Sequence, residues 1–162
     1  MSDSAVSSTR TAMTVGAVAG ILTPVIPALP ILNQYAQIVS ISVFVGGIYY
    51  GIRIFRDKSG INVYGKLLAA GVKTAFFASV IIAFITYMTA KLNPSVTDVY
   101  LQAVSQQLPP DLNETYMDMF RKIISPVFLA ASTIVSYTLA GSLAALLCAV
   151  VAKNTSSSPK SQ

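Results

Sequence analysis

The segment from Arg53 to Lys66, RIFRDKSGINVYGK, constrains this chain most. It sets Arg53, Arg56, Lys58 and Lys66 against one acid, Asp57, between two apolar runs that are each long enough to cross a bilayer. A short basic connection between spans reads as a cytoplasmic loop, because lysine and arginine concentrate on that side. Inside hydrocarbon every backbone N–H and C=O must be paired within the protein, so long apolar runs of this kind fold as helices. Composition points the same way: 10% of the residues are charged, against roughly 25% in soluble domains. The formal charge of +5 sits beside apolar runs rather than on a soluble basic face, so anionic lipid headgroups are the expected counter-charge and nucleic acid is not.

Four apolar runs are present. The first, Thr11 to Leu32, carries Gly16 and Gly20 at the spacing that lets helices approach closely. It then meets Pro24, Pro27 and Pro30, where the helix is expected to kink or end. Gln34 to Phe55 is a cleaner span with Gly47 and Gly51 four apart. The third run, Val63 to Ala90, has Asn62 placed to cap its start, and Lys66 and Lys73 share one helix face. Lys73 lies two turns in, from where its stem can return the charge to the headgroups. The last run, Pro126 to Ala152, opens with proline at a position helices tolerate. Ser132, Ser136 and Ala140 form a small stripe expected to face other helices, and Leu139 and Leu143 a bulky one expected to face lipid.

Between the third and fourth runs, residues 91–125 are polar. Val96, Val99, Tyr100, Ala103, Val104 and Leu108 recur at helical spacing, then Pro109-Pro110 breaks the chain. A second amphipathic stretch sets Leu112, Tyr116, Met119, Phe120, Ile123 and Ile124 against Asp111, Glu114 and Asp118. This predicts a helical hairpin lying on the membrane surface or over the helices.

Counting cations by side gives Arg10, Arg53, Arg56, Lys58, Lys66, Lys73, Lys153 and Lys160 against Lys91, Arg121 and Lys122. Eight to three favours both termini on the cytoplasmic side if there are four spans. If the proline-rich run does not cross, three spans remain and the N-terminus moves outside.

The four runs hold no Asp, Glu or His, which argues against a proton relay, a carboxylate ion site or a carboxylate-dyad protease. Ser40, Ser42, Ser79, Ser132 and Ser136 have no histidine to activate them, and only a Ser-Lys pair through Lys73 is conceivable. Cys148 is the one cysteine, so neither an intrachain disulfide nor a cysteine metal site can form. No cofactor or metal is expected.

At the basic segment the chain becomes distinctive. GGIYYGIRIFRDKSGINVYGKLLAAGVKTAF resembles the signature of a bacterial inner-membrane family of unknown function, the domain family labelled DUF forty-one ninety-nine. Gly51, Ile52, Arg53, Arg56, Asp57, Gly60, Tyr64, Gly65, Gly71 and Lys73 fit its pattern, and Ser125-Pro126 matches the start of its last span. Pro24, Pro27 and Pro30 and a less acidic hairpin depart from it. The resemblance implies four spans in a bacterial inner membrane and implies no activity. Physics accounts for much of the same motif: Arg53 and Arg56 suit a helix C-terminus, Asp57 can pair one turn back with Arg53, and Gly60 can close the turn.

The expected fold is an all-α membrane protein of four transmembrane helices, with an amphipathic helical hairpin between spans three and four. Residues 1–10 and 153–162 are expected to be disordered cytoplasmic ends of a membrane domain over 11–152, with spans at 11–32, 34–55, 63–90 and 126–152. Arg53, Arg56, Lys58, Lys66 and Lys73 are the candidate lipid or partner contacts, and Gly16, Gly20, Gly47, Gly51, Gly65 and Gly71 the candidate packing positions. The expected role is a non-enzymatic assembly or scaffold subunit that packs with itself or with another membrane protein. The alternative is a small oligomeric channel or transporter lined by Ser40, Tyr49, Ser132 or Ser136.

Overall fold

The computed structural model describes residues 3–25, 36–106 and 113–155. The described elements are α1 (Asp3–Val25), α2 (Ala36–Ser59), α3 (Tyr64–Leu92), α4 (Ser95–Ser105), α5 (Asn113–Ile123) and α6 (Pro126–Asn154). Three of them, α2 from Ile38 to Ser59, α3 and α6, are long and apolar enough to cross a membrane. Four such helices were expected. The apolar part of α1 is limited to Arg10–Leu22, about 20 Å at the helical rise and so shorter than the roughly 30 Å hydrocarbon core.

Local chemistry sets the boundaries. α1 begins at Asp3, within the stretch expected to be irregular. No Gly or Pro occurs before Gly16, so nothing stops the helix from propagating back into the polar residues. Pro24 falls in its last turn, while Pro27, Pro30 and residues 26–32 lie outside the described residues. α3 starts where the Val63 carbonyl accepts the N–H groups of Lys66 and Leu67 at 3.0 and 3.1 Å, so the helix opens at Val63 rather than at Asn62. Asn93-Pro94 ends α3 as expected from proline's restriction on its neighbours. Ser125 caps α6, its Oγ accepting the Phe128 N–H at 3.2 Å, and Pro126 takes the first helical position. α6 continues through Lys153 and Asn154, and residues 156–162 lie outside the described residues.

The chain forms two compact units, residues 1–82 with 134–162, and residues 83–133. In the first unit α1, α2, α3 and α6 share a core that includes Ala19, Phe44, Ile48, Ile52, Leu67, Ala75, Ala78, Ala145 and Ala149. Small residues let the helices meet. A Cβ built on Gly16 would lie 2.8 Å from the Thr74 carbonyl oxygen, and one on Gly20 would lie 2.9 Å from that of Ala78. Those at Gly47 and Gly51 would meet Ala19 Cβ at 2.6 Å and Thr74 Oγ1 at 2.7 Å. Gly71 faces Ile52 and Ala145, and Gly141 faces Ala75 and Phe44.

These pairings also give helix directions. On α3, Gly16 meets Thr74 and the later Gly20 meets Ala78 and Ile81, so α1 and α3 run parallel. Gly51 faces Thr74 while Ile52 faces Gly71, and Gly141 faces Ala75 while Ala145 faces Gly71, so α2 and α6 run against α3. The start of α1, the end of α2, the start of α3 and the end of α6 therefore gather at one end of this unit. Ser79 donates to the Phe76 carbonyl of its own helix at 2.8 Å, which leaves its oxygen to accept from the Thr138 hydroxyl of α6 at 2.8 Å. Phe44 and Tyr137 meet edge to face at 5.3 Å.

Large side chains point outward. Val18, Ile38, Ile41, Phe76, Val80, Leu139, Leu143 and Leu147 are exposed, while much of the core is alanine. A water-soluble protein does the reverse, and small-inside, large-outside is what packing in lipid requires.

Gly65 and the Ser132, Ser136 and Ala140 stripe, expected at packing faces, do not pack on another helix of this unit. Gly65 has nothing within 4 Å of its Cβ position, because it lies on the exposed face of the first turn of α3. On α6 the stripe Ser132, Ser136 and Ala140 is exposed, and the inward series is Gly141, Ala145 and Ala149.

In the second unit α4 lies against α5, and Leu101, Ile124, Leu129 and Ala90 form a core joined by Val96 and Phe120. Leu101 supplies the buried contact of α4, whereas Val99, expected on the apolar face, is exposed. Pro109-Pro110, Leu108, Asp111 and Leu112 lie outside the described residues.

Candidate functional site

The basic end of the first unit is built by a tight reversal between α2 and α3. Gly60 takes φ 66° and its N–H donates to the Arg56 carbonyl at 2.9 Å, which is the left-handed glycine stop of a helix. Serine at position 59 holds the next peptide, accepting the Ile61 N–H at 3.2 Å. Four residues then deliver the chain to α3.

Arg56 is the organising side chain. Its Nε and Nη2 donate to Asp57 Oδ1 at 3.1 and 3.0 Å, and its Nη1 donates to the Ala152 carbonyl. That carbonyl belongs to the last turn of α6, where helices leave their oxygens without an internal donor. A guanidinium at a helix C-terminus supplies both the hydrogen bond and the charge of favourable sign. The Arg56 side chain is only 16% exposed, so this contact ties the ends of α2 and α6 together. Nearby, the Tyr64 hydroxyl reaches the Leu146 carbonyl of α6 at 3.5 Å.

The other cations differ. Arg53 Nε lies 3.8 Å from Asp57 Oδ2, with its side chain 58% exposed, an arrangement worth little in solvent. Lys58, Lys66 and Lys73 are exposed, and their side chains make no hydrogen bond or ion pair among the described residues. Arg10 and Lys153 are also exposed, and the helix directions place both at this end. Chemically, the exposed ammonium groups of Lys58 and Lys66, beside the exposed guanidinium of Arg53, are suited to holding anions.

Of the candidate channel side chains, Ser40 is buried, Tyr49 is half-buried and Ser136 is exposed, and the Ser132 hydroxyl donates to the Leu129 carbonyl of its own helix at 2.9 Å. Sequence reasoning missed two features. The Ala152 carbonyl has no letter of its own, because any residue carries one. Gly141 is legible, since Gly141, Ala145 and Ala149 repeat every four residues as clearly as Ser132, Ser136 and Ala140.

No curated protein and no solved structure matches the chain. Residues 10–154, which run from the first cation of the basic end to the last turn of α6, match the family described as a protein of unknown function, DUF4199, and the chain belongs to it.

Proposed function

We propose that this chain is a multi-pass subunit of the bacterial inner membrane, without catalytic activity, that assembles with itself or with another membrane protein and holds anionic lipid headgroups at its basic end. The observation that supports this reading is the gathering of Arg10, Arg53, Arg56, Lys58, Lys66 and Lys153 at the end where α2 stops and α3 starts, with Lys73 two turns further into α3. In this reading α1 crosses as a fourth span. Its outward Met13, Val18, Ile21 and Leu22 continue the apolar exterior, and its glycines dock on the middle of α3. The basic end then faces the cytoplasm together with both termini.

Lys58 and Lys66 are exposed and make no ion pair among the described residues, and Arg53 makes only an exposed pair with Asp57, so removing the three changes lipid contact far more than stability. Each is worth about 1 kcal/mol of attraction to an anionic surface. In native mass spectrometry, the R53Q/K58Q/K66Q variant is expected to lose bound phosphatidylglycerol while melting like the parent. Unchanged lipid retention would count against the headgroup contact. Crosslinking in native membranes tests assembly, and recovery of the monomer alone at every crosslinker concentration would overturn it.

A further inference from the structure

The second unit carries an apolar edge that its own core does not cover. α5 turns Phe120 inward beside Ile124, against Leu101 and Leu129. Tyr116, Met119 and Ile123, three and four residues apart and therefore on one stripe, remain 42%, 57% and 41% exposed. Asp118, Arg121 and Lys122 occupy the remaining arc and are exposed. The apolar arc of α5 is thus wider than the core it packs on, and half of it needs another cover.

We propose that the cover is the lipid leaflet: α5 is an interfacial helix that seats Tyr116, Met119 and Ile123 in the membrane surface where α6 begins to cross. Connectivity is the first reason. Only Ile124 and Ser125 separate α5 from Pro126, the first residue of α6. That junction is pinned by the Ile124 N–H on the Phe120 carbonyl at 2.7 Å and the Leu129 N–H on the Ser125 carbonyl at 3.0 Å. The stripe continues directly into Val127 and Phe128, which are exposed on the opening turn of the spanning helix. Size is the second reason. Even with Val127 and Phe128 the edge is five side chains, far short of the roughly 20–30 residues per side of a stable protein interface, whereas a leaflet accepts an edge of any width. Charge is the third, since Arg121 and Lys122 in the last turn of α5 stand at the height of the phosphates when the stripe is sunk about 5–10 Å.

The chain has no tryptophan, so single reporters can be read without background. Full-length Met119→Trp and Asp118→Trp variants, with Tyr116→Trp as a second reporter on the same edge, are reconstituted in phosphatidylcholine and phosphatidylglycerol vesicles containing acyl-brominated lipid. Met119→Trp and Tyr116→Trp are expected to be blue-shifted and quenched at least about twofold more than Asp118→Trp, as an edge below the headgroups requires, and independently of protein density. Equal quenching at positions 119 and 118 overturns the proposal. So does a blue shift without bromolipid quenching, or one lost on dilution with lipid, which would assign the edge to a partner protein or a second copy.

Discussion

Adding one methyl group is expected to stabilise the chain at Gly65 and to give less gain or a loss at Gly141, although both are glycines of helices long and apolar enough to cross a membrane. At Gly65 nothing lies within 4 Å of the new carbon, so Gly65→Ala gains only helix propensity, about 0.8–1.0 kcal/mol. At Gly141 the new carbon would sit 2.5 Å from Ala75 Cβ and 3.1 Å from the Phe44 ring. Carbon atoms rest about 3.5–4.0 Å apart. Ala75 Cβ is fixed to its backbone and cannot rotate away, so α3 and α6 have to separate by roughly 1 Å or more to restore that spacing. Such overpacking costs about 1–3 kcal/mol, which exceeds or offsets the propensity gain. Gly141→Leu removes the near-balance, because a larger side chain has no space between Ala75 and Phe44. Thermal melts followed by circular dichroism in dodecyl maltoside read the difference, with 1 kcal/mol corresponding to roughly 2–4 °C at this chain length. Gly65→Ala should raise the midpoint and Gly141→Leu lower it, with Gly141→Ala below Gly65→Ala. A midpoint for Gly141→Leu at or above the parent would refute the close approach of α3 and α6.

Arg56→Gln should cost about 1.5–3 kcal/mol, the range for a hydrogen bond to a charged group, while Arg53→Gln should cost no more than about 1 kcal/mol, as for an exposed ion pair. Equal melts for the two variants would show that Arg56 does not tie α2 to α6. Ser79→Ala removes the hydroxyl that Thr138 donates to and should cost about 0.6 kcal/mol, the average for interhelical bonds in membranes; a loss several times larger would mean that this pair organises the core. In a Cys148→Ala background, cysteines replacing Ser4 and Ser59 should label from one side of the membrane and one replacing Ser105 from the other. Labelling of Ser4→Cys together with Ser105→Cys would show that α1 does not cross.

The parts of this fold that were legible in the sequence are those written by local punctuation. Asn93-Pro94 ends α3, Ser125-Pro126 starts α6 and Gly60 stops α2, because each residue acts on its own backbone whatever the neighbouring helices do. Facing was much less legible. α6 offers two small series a single residue apart, Ser132-Ser136-Ala140 and Gly141-Ala145-Ala149, and about 100° of rotation decides between them. That rotation is set by which residues of α2 and α3 lie opposite, namely Phe44, Ala75 and Gly71. The same reasoning separates Gly65 from Gly71: both are glycines on α3, but only the second points at Ile52 and Ala145. Of the basic segment, the Arg53–Asp57 pair could be read from a four-residue spacing. The Arg56 contact with Ala152 could not, since its two residues lie far apart in the chain and one of them acts through its backbone.

Helix directions bear on the remaining charge in a way that no count of lysines reveals. Each helix end carries roughly half an elementary charge, positive at the N-terminus and negative at the C-terminus. With α1 and α3 running one way and α2 and α6 the other, the basic end presents two N-termini and two C-termini, and their dipoles nearly cancel. Backbone electrostatics therefore neither explains nor neutralises the surplus of cations at that end. Arg56 is accounted for, because a planar fork can hold Asp57 and the Ala152 carbonyl together as an ammonium group cannot. The exposed positions 58, 66 and 73 are lysines, whose compact, well-hydrated charge on a flexible stem suits groups that move in the plane of a membrane. In the proposed reading an anionic headgroup layer meets this excess without ordering any further protein.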